Sequence, residues 1–173
     1  SYTFQKAAGG SIGDSLCNDA MLETVSGLEE KARQVGSRLL LPEDNIVADR
    51  FANDANTMCV PSGQIPDGWM GMDIGPRTIE KYTAIIEQAR TVVWNGPAGV
   101  FEMPKFAVGT RAIATAVANS KGVSIIGGGD SAAAVDQLGF ARKVTHISTG
   151  GGASLEFLQG MELPGIACLE DAD

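Results

Sequence analysis

Val123-Ser124-Ile125-Ile126-Gly127-Gly128-Gly129-Asp130-Ser131 passes from a short apolar run into consecutive glycines and then into the alanines 132 to 134. That change of period predicts a buried strand, a tight turn and a helix over Asp130 to Leu138. The same order recurs on either side. Upstream, Thr91-Val92-Val93-Trp94 runs into Asn95-Gly96-Pro97-Ala98-Gly99-Val100-Phe101-Glu102 and then an alanine-rich helix over Phe106 to Ser120. Downstream, a strand over Lys143 to Ser148 leads through Thr149 into Gly150-Gly151-Gly152-Ala153-Ser154 and a helix over Gly150 to Leu158. Strands alternating with helices at this spacing imply an α/β fold of three layers, a mostly parallel, Rossmann-like sheet with helices on both faces. Parallel strands finish at one edge, so the three glycine-bearing turns should converge where such sheets bind ligands.

The first half of the chain reads less regularly. Ala20, Met21, Val25, Leu28, Ala32 and Val35 fall near helical spacing, predicting one helix over Asp19 to Val35 that stops at Gly36. Arg38 to Leu41, halted by Pro42, reads as a buried strand, as do Ile46 to Asp49 and Thr57 to Val60. The glycine- and proline-rich stretch from Pro61 to Pro76 reads as a loop, and Thr78 to Ala89 as a polar-faced helix.

With 173 residues, 44% of them hydrophobic, the chain is long enough to bury a core of its own. A net charge of −8 argues against nucleic acid and against anionic membrane surfaces as partners. It leaves phosphorylated ligands open, because backbone N–H groups at glycine-rich helix N-termini hold phosphate without cationic side chains. Cys17, Cys59 and Cys168 are widely spaced and lack metal-ligand patterns, so a reducing compartment is expected. Ser1-Tyr2-Thr3-Phe4-Gln5-Lys6-Ala7 reads as the middle of an element, which suggests a piece of a longer protein.

Each candidate residue has a functional and a plain reading. Gly150 to Ala153 can cradle a phosphoryl group or simply turn the chain tightly. Asp130 can cap the helix that follows, or sit beside a polyphosphate and hold Mg²⁺ through oxygen. Ser131 would then donate to a phosphate. No G-x-x-x-x-G-K-[ST] occurs, which excludes a P-loop. Gly127-x-Gly129-x-x-Ala132 fits the loose dinucleotide fingerprint, but the following strand ends in Ser148, Thr149 and Gly150 where that fingerprint expects an acid. His146, the one histidine, lies within a predicted strand and reads as a structural hydrogen-bonding group before an acid–base catalyst.

WNGPAGVFE (94 to 102), GGGDSAAA (127 to 134) and ISTGGGASLEFLQG (147 to 160), in that order, resemble phosphoglycerate kinase. YTFQKA, the segment from Ile12 to Leu16, ADRFANDANT, GWMGMDIGP and LPGIACLEDA extend the resemblance over almost the whole chain, and the GGGDS form and LLLPEDNIVADRF look bacterial or plastid-like. The resemblance implies the nucleotide-binding C-terminal lobe of a two-lobe kinase, spanning 1–173 and truncated at its N-terminal side, with the 3-phosphoglycerate lobe absent. It implies reversible phosphoryl transfer between 1,3-bisphosphoglycerate and ADP, with ATP or ADP and Mg²⁺ held here, and little or no turnover by this chain alone. By position, Asp130 would associate with Mg²⁺, and Gly127, Gly128, Gly129 and Ser131 would contact nucleotide phosphates. Glu102 would bind the ribose, and Asn95, Pro97, Gly99 and Val100 would line the cleft. Tyr2, Phe51, Gly71 and Met72 would border adenine, and Gly150, Gly151 and Gly152 would offer N–H groups to the phosphoryl in transfer. The family further implies a cytoplasmic or plastid-stromal location and a monomeric intact enzyme; the alternative is a nucleotide-binding module that does not catalyse.

Overall fold

A computed structural model describes residues 1–148 and 150–169; Thr149 and the final residues of LPGIACLEDA lie outside the described residues. In chain order the elements are α1 (Tyr2–Ala7), β1 (Ser11–Ile12), a 3₁₀ turn (Asp19–Met21), α2 (Leu22–Ser26), α3 (Leu28–Gln34), β2 (Asp44–Ala48), β3 (Thr57–Pro61), β4 (Gln64–Ile65), β5 (Met70–Ile74), α4 (Pro76–Gln88) and β6 (Thr91–Asn95). A 3₁₀ turn (Pro104–Phe106), α5 (Val108–Asn119), β7 (Val123–Gly127), α6 (Gly129–Gln137), a 3₁₀ turn (Ala141–Lys143), β8 (His146–Ser148), α7 (Gly151–Leu158) and α8 (Pro164–Ala167) follow.

The contacts divide into two compact units, Ser1–Thr83 with Ala98–Ile113 and Ala84–Pro97 with Ala114–Asp173. The second holds the expected α/β pattern: β6, β7 and β8 pair in parallel, in that order, and helices flank them. Its strands are rich in β-branched residues, and Val93 and Val123 keep 43% and 48% of their surface exposed. Ala134 and Val135 of α6 are fully buried, as are Ile126 and, nearly so, Trp94.

The first unit is built on another plan. β3, β2 and β5 form an antiparallel sheet, and β1 pairs in parallel with β4. Its core gathers Ala48, Ala55, Met72 and Phe106, with Ile46, Met70, Val100 and Met103 packed around them. β5 was hidden inside the expected loop. Gly71 and Gly75 obscure the strand pattern, yet both permit close packing: the Tyr2 ring lies against Gly71 and the Asp44 carboxylate against Gly75.

Two further expectations are corrected. The single helix over Asp19 to Val35 is a 3₁₀ turn followed by two short helices broken at Gly27, a residue that costs about 1 kcal/mol within a helix. Of its apolar stripe only Val25 is buried, so packing does not repay that cost. Arg38 to Leu41 forms no strand. That segment is held from its side instead, by the Tyr82 hydroxyl donating to the Leu40 carbonyl (2.8 Å) and the Ser62 hydroxyl to that of Pro42 (2.6 Å).

Candidate functional site

The second unit brings three strand ends into one row. Asn95 at the end of β6 is in register with Gly127 at the end of β7, and Gly127 with Ser148 at the end of β8. Each strand then enters its own turn, so the turns leave from neighbouring points of one sheet edge. The Gly128 N–H donates to the Ser148 carbonyl (3.2 Å), tying the second turn to the third strand.

Bare backbone lines this edge. Gly128 has φ +92°, a conformation side chains avoid, and a Cβ there would stand 3.2 Å from Asn95 Oδ1. A Cβ on Gly151 would lie 3.0 Å from the Gly128 Cα, so the second and third glycine turns face each other directly. α6 begins at Gly129 and α7 at Gly151, and the first amides of an α-helix have no partner within the helix. Both N-termini therefore carry donors and positive dipole ends at the same edge of the sheet.

Side chains brace the turns from behind. Buried Ser131 accepts the Gly96 N–H on Oγ (2.6 Å), joining the first turn to α6. The Ser148 and Ser154 hydroxyls meet at 2.9 Å and close the third turn. Gly129, Asp130, Gly150 and Gly152 are exposed, as is Asn95, while Pro97 is partly buried. Behind the edge a cavity of about 460 Å³ runs between the sheet, through Val93 and Ile125, and Leu158 and Ile166 of α7 and α8. His146, which the sequence placed within a strand, opens that strand and lines the cavity.

Asp130 stands in the first turn of α6, exposed, and no cluster of three metal-ligating side chains occurs among the described residues. A lone exposed carboxylate is no all-protein metal site. It does fit Mg²⁺, which keeps waters and is commonly held by one or two carboxylates together with substrate phosphates.

The other expected residues gather in the first unit. The Tyr2 ring lies on Gly71, whose N–H donates to Ser15 Oγ (2.9 Å). Burial, with the nearby Asp73 charge adding to it, pushes the Tyr2 phenol up to about 12. The turn bearing Gly99, Val100 and Glu102 is pinned at three points. Ala98 and Gly99 donate to Thr110 Oγ1 (3.1 and 3.2 Å), and Val100 donates to the Met72 carbonyl (2.9 Å). Glu102 and Phe51 are exposed. Met72, 3% exposed, is a member of the core, and its backbone carbonyl is what reaches the turn.

Sequence reading missed two buried carboxylates in this unit. Asp73 accepts N–H from Ile74 and Gly109, each at 2.8 Å. Asp44 accepts from the amides of Arg77 and Thr78 and from the Thr78 hydroxyl, which caps α4. Asp73 between Met72 and Ile74, and Asp44 in the polar run Glu43-Asp44-Asn45, gave no periodic signal.

The phosphoglycerate kinase family profile matches residues 1–161. The chain belongs to the phosphoglycerate kinase family. The phosphoglycerate kinase of Clostridium tetani is 57% identical over 171 residues, covering 99% of this chain and 43% of that protein. The cytosolic phosphoglycerate kinase of Nicotiana tabacum is 54% identical over 174 residues, again 99% of this chain and 43% of that one. Among solved structures, phosphoglycerate kinase from Coxiella burnetii superposes with a TM-score of 0.90 at 45% identity, over 95% of this chain and 43% of that one. The enzyme from Pyrococcus horikoshii gives 0.76 at 35% identity, over 95% and 42%. The chain thus spans less than half the length of these phosphoglycerate kinases. No helix among the described residues is long and apolar enough to cross a membrane.

Proposed function

We propose that this chain supplies the Mg-nucleotide site of a phosphoglycerate kinase, C-terminal in the whole protein, which passes a phosphoryl group between 1,3-bisphosphoglycerate and ADP. The observation that carries the reading is the in-register row Asn95–Gly127–Ser148 with Gly128 and Gly151 facing each other above it. Amides of Gly129 and Ser131, in the turn that Gly128 bends, meet the nucleotide phosphates, and those of Gly150, Gly151 and Gly152 meet the migrating group, where fixed donors match the charge spread over its oxygens. Asn95 and Pro97 border the phosphates on the β6 side, and Gly127 ends the strand that aims the cradle.

Asp130 would hold Mg²⁺ beside the phosphates, where the ion would supply charge neutralisation. In the first unit Glu102 takes the ribose hydroxyls, Gly99 and Val100 shape the sugar side, and Tyr2, Phe51 and Gly71, with the Met72 backbone, border the base. No nucleophilic side chain is required, because phosphoryl transfer is governed by positioning and electrostatics. The triose-phosphate substrate is bound by the remaining length of the protein, which works as a cytoplasmic monomer.

A chimera tests this reading: the chain replaces the matching stretch of the Clostridium tetani protein, and ATP formation from 1,3-bisphosphoglycerate and ADP is measured. The chimera should turn over and its Gly151→Val variant should not. A Gly151→Val chimera as active as the parent would remove the cradle from the mechanism. A non-catalytic nucleotide module would appear as a folded chimera that binds MgADP and forms no ATP.

A further inference from the structure

Asp73 is 2% exposed and is itself given no role above. Both carboxylate oxygens are engaged, Oδ1 by the Ile74 amide and Oδ2 by that of Gly109, the second residue of α5. The carboxylate presses on two glycines: a Cβ on Gly99 or on Gly109 would overlap it. The chain from 98 to 100 is thereby closed into a ring of contacts. β5 contributes the Met72 carbonyl to Val100 and the Asp73 carboxylate against Gly99, and the first turn of α5 contributes Thr110 Oγ1 to Ala98 and Gly99. Asp73 is the corner of that ring, because it joins β5 to α5 and abuts the turn between them.

We propose that Asp73 is a positioning residue for nucleotide: its carboxylate sets the turn from Ala98 to Val100, and through it the place at which Val100 and Glu102 meet the sugar. The proposal rests on the nucleotide reading above. A structural cap would need only the bond to α5. Asp73 also excludes side chains at two positions and defines the path of the turn that carries Glu102.

Supporting the geometry, burial lifts the Asp73 carboxyl to about 6 against the opposing pull of the Gly109, Ile74 and Val108 amides. The groups facing it are Tyr2 from α1, neutral far above that pH, the backbone of α5 at Gly109, and Gly99, which brings no side chain from the turn. Acidification through about 6 therefore removes the charge that the amides and the turn are arranged around.

The test uses the full chain and adenosine, a probe that carries no titrating phosphate. Amide resonances of Gly99, Val100 and Glu102 are followed by NMR as pH falls through about 6, and adenosine affinity is measured above and below that midpoint. The expected result is that these amides titrate together and adenosine binds about tenfold more weakly on the acid side. In Asp73→Asn the titration should vanish, and binding should be weak at both pH values. Thr110→Val, which leaves the carboxylate intact but opens the ring, should weaken adenosine similarly and keep the titration. This variant and the wild-type pH series carry the test if Asp73→Asn does not fold. Unchanged adenosine affinity in a folded Asp73→Asn or Thr110→Val, or amides at 99 to 102 that ignore pH, would overturn the proposal. Adenosine that fails to bind the wild type while those amides titrate would overturn the nucleotide reading of this unit, and with it the positioning role.

Discussion

The two units hold their candidate ligand-binding residues by opposite means. In the second, the working surface is backbone with the side chains removed: Gly128 at a positive φ and Gly151 facing it. In the first, a turn carrying an exposed acid, Glu102, is held from beneath by the buried Thr110 hydroxyl, which accepts its amides, and by the buried Asp73 carboxylate packed against Gly99. On the reading proposed above, one surface serves because nothing protrudes from it, and the other because something buried positions it. The two should therefore fail differently, the cradle when atoms are added and the turn when atoms are removed.

The largest effect should come from adding atoms to the cradle. Gly151→Val places branched carbon against Gly128 and covers the amides, and MgADP affinity measured by calorimetry should fall at least about a hundredfold with the fold retained. Next comes removal of a buried acceptor. Asp44→Ala leaves the Arg77 and Thr78 amides without their partner, reduces the Thr78 hydroxyl to the Asp44 carbonyl, and should cost about 2 kcal/mol in urea unfolding. Burial alone would raise the Asp44 carboxyl, but the Thr78 and Arg77 hydrogen bonds outweigh it and hold it below its ordinary value. Its contribution is therefore present above the unfolded carboxyl value and lost as pH falls through the folded one; Asp44→Asn should flatten that acid limb of the stability curve. Asp73, raised by burial, has the reverse sign, and its ionisation removes stability as pH rises through about 6.

Smaller effects sharpen the contrast. Glu102→Gln keeps an acceptor for the ribose and loses its charge, so adenosine affinity should drop about fivefold with stability unchanged. Ser154→Ala removes only the hydroxyl that meets Ser148, and should cost less than about 1 kcal/mol with MgADP affinity kept, since the cradle is backbone.

The second unit was far more legible in the sequence than the first, for a physical reason. Apolar runs such as Val123 to Ile126, followed by glycines and a helix, state strand, turn and helix locally, and the positions of Gly128 and Gly151 at the sheet edge were read without any tertiary information. β5 escaped because Gly71 within it and Gly75 just after it answer to distant partners, Tyr2 and the Asp44 carboxylate, which no local window contains. Asp73 escaped for the same reason, since its partners on α5 lie 36 residues away. The break at Gly27 is the converse case, in which periodicity promised a helix and nothing packed firmly enough to hold it in one piece.

A titration of the chain with MgADP, followed by NMR at the backbone amides, tests most directly whether the glycine edge holds phosphate. The account predicts saturable shifts, largest at Gly128, Gly129, Gly151 and Gly152, that Gly151→Val abolishes. Saturable binding that leaves those four amides unmoved, with the shifts confined to residues elsewhere, would contradict it.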